Sequence, residues 1–157
     1  MVYCIKQKIF TLVDRFTIWN ERGEPLFEAE GELLSWGKRL HVYDLDGREV
    51  ISIREKVFSF LSTYNVSLEN GPDFTVRREF TLLRPRYTVE PLGWEVEGDF
   101  FSHEYEIVRG QTSVAALSKE WFTWADCYTL RVPQDKDGLA ALAATLVIDC
   151  CMAKNNS

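Results

Sequence analysis

Four arginines fall close together in the chain: Arg77, Arg78, Arg84 and Arg86. A guanidinium is planar, always charged, and presents a donor fork that matches phosphate or carboxylate oxygens. The chemistry these residues offer is therefore anion recognition. If Arg77 and Arg78 end one strand and Arg84-Pro85-Arg86 open the next, all four lie near one hairpin tip, and Arg84 and Arg86 share a face at strand spacing. Lys38 and Arg39 occupy the equivalent turn two units earlier in a repeat described below. On residue types alone the default reading is a solvated rim with Glu79 and Glu90 as local partners.

A second group of chemically capable residues is acidic: Glu95, Glu97 and Asp99, followed by His103, Glu104 and Glu106. Carboxylate oxygens suit calcium or magnesium. Alternating carboxylates also describe the wet face of a strand, and no spacing here matches an EF-hand, so no metal site is expected. His41 and His103 are the two histidines, which leaves few options for a Ser–His or Cys–His pair. The chain has no glycine-rich phosphate loop and no Gly-x-Ser-x-Gly. The expectation is a protein without catalytic residues and without a cofactor. Cys4, Cys127, Cys150 and Cys151 lack zinc spacing and read as buried structural thiols.

Composition bounds what can position these groups. A chain of 157 residues with ten Phe, six Tyr and five Trp favours one domain with a sizeable core. The net charge of −6 argues against a general nucleic-acid binder. Residues 1–90 carry 13 basic and 14 acidic side chains, whereas residues 91–157 carry 5 and 10. An anion-binding surface therefore belongs to the first part. The N-terminus lacks an apolar signal region, which predicts a cytosolic chain with reduced thiols.

The stretch Gly138–Lys154 organises the rest. From Leu139 to Ile148 only Thr145 is polar, and Ala and Leu dominate. A helix that is apolar all round must be buried. The run is shorter than a membrane span and Asp149 interrupts it, so burial in protein is the better reading. Asp135 or Asp137 could cap the helix, Lys154 suits its C-terminus, and the alanines leave it thin enough for close approach on every side. Leu139, Leu142, Leu146, Val147, Ile148 and Asp149 are its structural residues. Asp149, if buried, needs hydrogen bonds from strand N–H groups or an arginine and reads as a structural anchor rather than a catalytic acid.

Upstream, a pattern recurs: an aromatic residue or Leu, usually Ser or Thr, a short connection, then an alternating run. Its leading residues are Phe10, Leu34, Phe58, Phe80, Phe101 and Phe122. Turn signals fall between alternating segments, including Asn20–Gly23, Asp44–Gly47, Glu69–Pro72, Pro91–Gly93 and Arg109–Gln111. Two strands in each of six units gives about twelve antiparallel strands (~2–132), which would leave vulnerable edges unless the sheet closes. A barrel of that size is too wide for strand side chains alone to fill. A central helix at ~138–153 supplies the filling. The predicted fold is one domain, residues 1–154, a closed β-barrel around its C-terminal helix, with residues 155–157 as a flexible tail.

The opening Lys6-Gln7-Lys8-Ile9-Phe10, the Phe-Ser/Thr repeats, the segment Trp94-Glu95-Val96-Glu97-Gly98-Asp99-Phe100 and the terminal helix with Ile148-Asp149 together resemble the LURP-one-related family. That family belongs with the tubby C-terminal domains and the phospholipid scramblases. The resemblance implies a twelve-stranded barrel around a central helix. It also implies a choice of functions, because tubby domains bind phosphoinositide headgroups and scramblases act at membranes and bind calcium. No basic motif matches the tubby site residue by residue, and no calcium loop is present. Two expectations follow. One is a non-enzymatic module that binds anionic phospholipid headgroups at the membrane periphery through the arginine cluster. The other is a protein–protein scaffold using exposed aromatics such as Trp19, Trp36 or Trp124.

Overall fold

The computed structural model describes residues 1–6, 15–34, 36–122 and 126–155. Twelve strands occupy β1 (Val2–Lys6), β2 (Arg15–Trp19), β3 (Pro25–Leu34), β4 (Gly37–Asp44), β5 (Glu49–Glu55), β6 (Thr63–Leu68), β7 (Phe74–Glu79), β8 (Arg86–Glu90), β9 (Trp94–Asp99), β10 (Glu104–Arg109), β11 (Thr112–Trp121) and β12 (Asp126–Arg131). A short 3-10 turn at Asp135–Asp137 leads into helix α1 (Gly138–Asn155). Each strand pairs with its neighbours in the sequence, and β1 pairs antiparallel with β12 to close the barrel, with Tyr3 opposite Leu130 and Ile5 opposite Tyr128. The expected barrel around a C-terminal helix is the fold observed.

Alternation explains the wall. Leu40 and Val42, Tyr64 and Val66, Tyr87 and Val89, Trp94 and Val96, and Tyr105 and Ile107 are buried, with outward residues between them. Val50 and Ile51 break the alternation by both being buried. The β4–β5 register explains this: Val42 faces Ile51 and Tyr43 faces Glu49, so Val50 is the extra residue of a bulge. The outward positions carry Glu28, Arg54, Asn65, Arg77, Glu97, Glu104 and Glu106, all exposed. The wall is thus polar, unlike the apolar band of a membrane-spanning barrel.

Helix α1 fills the interior, and Ala140 to Met152 are all buried. Large strand residues compensate for its alanines, with Tyr3, Tyr64, Tyr87 and Trp94 fully buried. Thr145 donates its hydroxyl to the Ala141 carbonyl at 2.9 Å, which satisfies the one polar side chain of the apolar run. The acids before the helix make ion pairs: Asp137 reaches Arg109 at 3.8 Å and Asp135 reaches the N-terminal ammonium at 3.6 Å.

Strand direction sorts the connections into two mouths. The β2–β3, β4–β5, β6–β7, β8–β9 and β10–β11 turns lie at the mouth where α1 begins, here the turn mouth. Asn20 and Asp44 fold these turns back on themselves, each side-chain oxygen accepting two backbone N–H groups at 2.9 Å. The β3–β4, β5–β6, β7–β8 and β9–β10 connections lie at the other end, the loop mouth, where α1 ends.

Candidate functional site

Strand order gathers the predicted basic residues at the loop mouth. Lys38 and Arg39 open β4, Arg77 and Arg78 close β7, Arg84 sits in the β7–β8 connection, and Arg86 opens β8. The details differ from expectation in three ways. Strand β8 begins at Arg86, so Arg84 lies in a loop and shares no strand face with it. Arg86 is taken up by a hydrogen-bonded ion pair with Glu95 on β9. Of the two expected carboxylate partners only Glu79 is near the cluster, opposite Arg86 in the β7–β8 register and accepting the Thr88 hydroxyl at 2.8 Å, whereas Glu90 ends β8 at the turn mouth.

The register adds residues that sequence reasoning missed. Arg54 on β5 lies directly opposite Arg39 on β4, and Lys56, exposed, follows just past the end of β5. Like charges placed opposite each other destabilise a sheet. The Arg39 Nε is buried without a hydrogen-bond partner. Among the described residues Arg39, Arg54, Lys56, Arg77, Arg78 and Arg84 form no ion pair. These cations line one arc of the mouth, from β4 to the β7–β8 connection, with Glu32 opposite Arg39 in the β3–β4 register and Arg84 adding to the Ser102 hydrogen bonds that hold the Asp99 carboxyl below its usual range. No sequence signal could place Arg54 against Arg39 without the register, which the bulge at Val50 sets.

The rim is anchored to the helix. Glu55 at the end of β5 accepts the Lys38 backbone N–H at 3.0 Å and the Lys154 ammonium at 2.6 Å. Burial alone would raise its carboxyl, but the bonds from Lys154 and Lys38 outweigh it and hold the group below the usual carboxylate range. Lys154 lies in the last turn of α1, as expected, and its ammonium is held by Glu55.

Between the cations project apolar side chains. Phe58 and Phe60 in the β5–β6 connection, Phe80, Leu82 and Leu83 in β7–β8, and Phe101 in β9–β10 have 72% to 101% of their surface exposed, and Trp36 in β3–β4 is also exposed. Of the large apolar side chains exposed among the described residues, only Met1 and Leu45 lie away from this mouth. A signal for them existed: Phe58-Ser59-Phe60-Leu61 and Phe80-Thr81-Leu82-Leu83 are apolar runs at points where alternation stops. Gly98 shapes the neighbouring β9–β10 hairpin. Its φ is +144°, and a Cβ there would lie 2.6 Å from the Glu104 carbonyl oxygen. Asp99 then accepts the Ser102 N–H at 3.1 Å and its hydroxyl at 2.7 Å.

The other candidates resolve into structural roles. Glu95 is bound to Arg86 and Asp99 to Ser102, while Glu97, Glu104 and Glu106 are exposed along the wall. Among the described residues no three His, Cys, Asp or Glu side chains converge on a metal position. His103 is buried and stacks on Tyr128 at 4.1 Å, and burial lowers its affinity for a proton. His41 lies on the outer wall between Glu32 at 3.6 Å and Glu49 at 3.2 Å. All four cysteines are free and buried. Asp149 is buried as expected, but its Oδ1 has neither the strand N–H nor the arginine anticipated for it. Burial pushes its carboxyl up to about 7. Trp19 is half-buried beneath Lys6, whose ammonium lies 5.2 Å from the ring centre, and Trp36 is exposed. Trp124, the repeat leader Phe10 and residues 7–10 of the opening segment lie outside the described residues.

Comparison with known proteins places this architecture. An uncharacterised protein of Bacillus subtilis strain 168, YxjI, is 30% identical over 145 residues, covering 92% of this chain and 90% of that one. The protein LURP-one-related 8 of Arabidopsis thaliana is 22% identical over 162 residues, covering 92% and 83%. An X-ray structure of another Arabidopsis thaliana protein superposes with a TM-score of 0.61 at 17% identity, covering 92% and 88%, which supports the fold. The family model described as LURP-one-related matches residues 1–149. With a match over nearly its full length, the chain belongs to the LURP-one-related family.

Proposed function

We propose that this chain is a non-enzymatic binding module that docks peripherally on anionic phospholipid surfaces, at the cytoplasmic side, with its loop mouth against the headgroups. One observation supports the reading: Arg39, Arg54, Lys56, Arg77, Arg78 and Arg84 line one side of the loop mouth, from β4 to the β7–β8 connection, without an ion pair among the described residues, in a chain whose net charge is −6. A cluster of cations without ion pairs on one side of a mouth, in a chain of overall negative charge, favours presenting that side to an anion. No helix among the described residues is long and apolar enough to cross a membrane, and α1 is occupied as the barrel core. The Arg39–Arg54 juxtaposition is relieved when a phosphate oxygen sits between the two guanidinium groups.

Vesicle co-sedimentation tests the proposal. Vesicles of phosphatidylcholine alone are compared with mixtures containing phosphatidylserine or phosphoinositides, at near-physiological salt. Each basic residue near an anionic surface contributes about 1 kcal/mol. Arg77→Glu with Arg84→Glu is therefore expected to weaken binding to anionic vesicles at least tenfold. Arg86→Gln, which removes a side chain already paired with Glu95, is expected to have a smaller effect. Equal binding to neutral and anionic vesicles, or binding unaffected by the double reversal, would refute the role of the cluster. A second reading is favoured by the exposed Trp36 ring: a protein-binding surface at the same mouth. It predicts a partner whose capture is lost on Trp36→Ala while vesicle binding is absent.

A further inference from the structure

We propose that the β5–β6, β7–β8 and β9–β10 connections are membrane-penetrating fingers. Phe58, Phe60, Leu82, Leu83 and Phe101 enter the acyl region of an anionic bilayer with the barrel standing end-on. The inference rests on the docking reading above and goes beyond it, because headgroup attraction alone requires no penetration.

Three features select a bilayer as the occupant. First, the fingers are apolar at their tips and carry no carboxylate. Residues 56–62, 80–85 and 100–103 contain no Asp or Glu, and their formal charges are Lys56 and Arg84. The carboxylates nearest to them, Glu79 and Asp99, stand behind the tips at the ends of β7 and β9 and are each hydrogen-bonded, to Thr88 and Ser102. Second, charge and apolarity are layered. The tips project from the ends of the strands, whereas Arg39, Arg54 and Arg77 sit on the strands behind them. That order matches a bilayer, where phosphates lie outside the acyl chains. Third, the fingers stand apart. A cleft of about 440 Å³ separates Phe60 and Leu61 from Phe80 and Leu82, and another of about 420 Å³ separates Leu83 and Pro85 from Phe100 and Phe101. A rigid partner would have to fill both clefts with matching ridges. Fluid acyl chains conform to separated tips without such complementarity. The surface is also amphipathic in the sense that interfacial anchors are, aromatic and leucine side chains flanked by basic ones.

The test uses the full chain and vesicles of phosphatidylcholine with phosphatidylserine. An environment-sensitive fluorophore is placed at Phe60→Cys, with Leu45→Cys at the turn mouth as the control. The four native cysteines are buried, which favours labelling at the introduced site. Lipids carrying a quencher within the acyl chain are expected to quench the label at position 60 and leave that at position 45 bright. Phe58→Ser with Phe60→Ser, and separately Leu82→Ser with Leu83→Ser, are each expected to weaken vesicle binding at least tenfold while the melting temperature is retained, since these side chains make no core contact. Part of the wild-type binding is expected to survive 0.5 M salt. An unquenched label at position 60 on bound protein overturns the inference and leaves the docking reading standing. So does loss of binding on charge reversal alone, with both serine pairs binding as wild type. Failure of the wild type to bind any vesicle sinks both. A dimer in solution that the serine pairs dissolve would assign the tips to a second copy and overturn penetration.

Discussion

At the turn mouth the connections are short and satisfied by their own side chains. Asn20 and Asp44 bind their turn amides, and Arg22, Glu24, Asp46 and Arg48 pair locally. At the loop mouth the connections carry Phe58, Phe60, Phe80, Leu82, Leu83 and Phe101 into solvent, beside Arg54, Arg77 and Arg78, which form no ion pair among the described residues. Both mouths close a β-barrel, so folding alone does not require the difference. Polar turns lower the free energy of the fold in water, whereas exposed aromatic and leucine side chains contribute nothing to it. The contrast teaches that one end of this molecule is finished with polar, self-satisfied turns, while the other exposes apolar side chains that the fold itself does not use.

Substitutions can break or sharpen that contrast, and the largest effect is expected where the loop mouth reaches inward. Asp149 lies in the half of α1 that approaches this mouth, with Tyr87 and Tyr105 the titratable groups bearing on it from β8 and β10. Its carboxyl is raised from the ordinary 3.8 to about 7 by burial. The folded state therefore holds the proton more tightly than the unfolded chain. The associated stability is fully present below about pH 4, declines as pH rises, and is lost once pH passes about 7. The interval corresponds to about 4 kcal/mol in order of magnitude. Asp149→Asn should flatten this slope and make the variant more stable than wild type at pH 8. Denaturant titrations at pH 5 and pH 8 read the difference, and a wild-type stability that rises over that range contradicts it.

Glycines at the two mouths give the next test. Gly98 and Gly47 both have positive φ, but a Cβ at Gly98 would overlap the β10 backbone whereas Gly47 faces open space. Gly98→Ala should cost about 3 kcal/mol through strain and forced displacement, and Gly47→Ala about 1 kcal/mol through conformation alone. Thermal melts of the two variants should differ accordingly; equal losses would mean that the β9–β10 hairpin yields easily.

Smaller effects separate the ionic anchors. Glu55→Ala removes acceptors from the Lys38 N–H and Lys154 at the loop mouth, and a buried bonded carboxylate of this kind is worth about 1–3 kcal/mol. Asp135→Asn at the turn mouth breaks an exposed pair with the N-terminus and should cost less than about 1 kcal/mol. If the second loss matched the first, the turn mouth would be the better-anchored end of the helix.

Much of this was legible in the chain. The apolar stretch Leu139–Ile148 demands burial, and the hairpin repeat demands closure, so the barrel and its filling follow from patterning. The turns at Asn20, Asp44 and Glu69 were readable because Asn, Asp and Gly fix turn geometry locally. The arginine cluster was readable as a group of residues but not as a site. Arg54 enters only through a register displaced by the bulge at Val50, and Arg86 leaves through Glu95 on the next strand. Phe58, Phe80 and Phe101 were visible as repeat leaders, yet their exposure was not, because an aromatic residue at a strand end reads the same whether it turns inward or outward.

The sequence by itself thus determined the elements, their order and the element that must lie inside, since periodicity and hydrophobic burial act locally along the chain. Only the tertiary structure decided that alternate connections meet at one mouth. There it put Arg39 beside Arg54, paired Arg86 with Glu95, and set three apolar connections at the mouth where α1 ends. Strand pairing and barrel closure bring together residues far apart in the chain, and the surface they create belongs to no single segment.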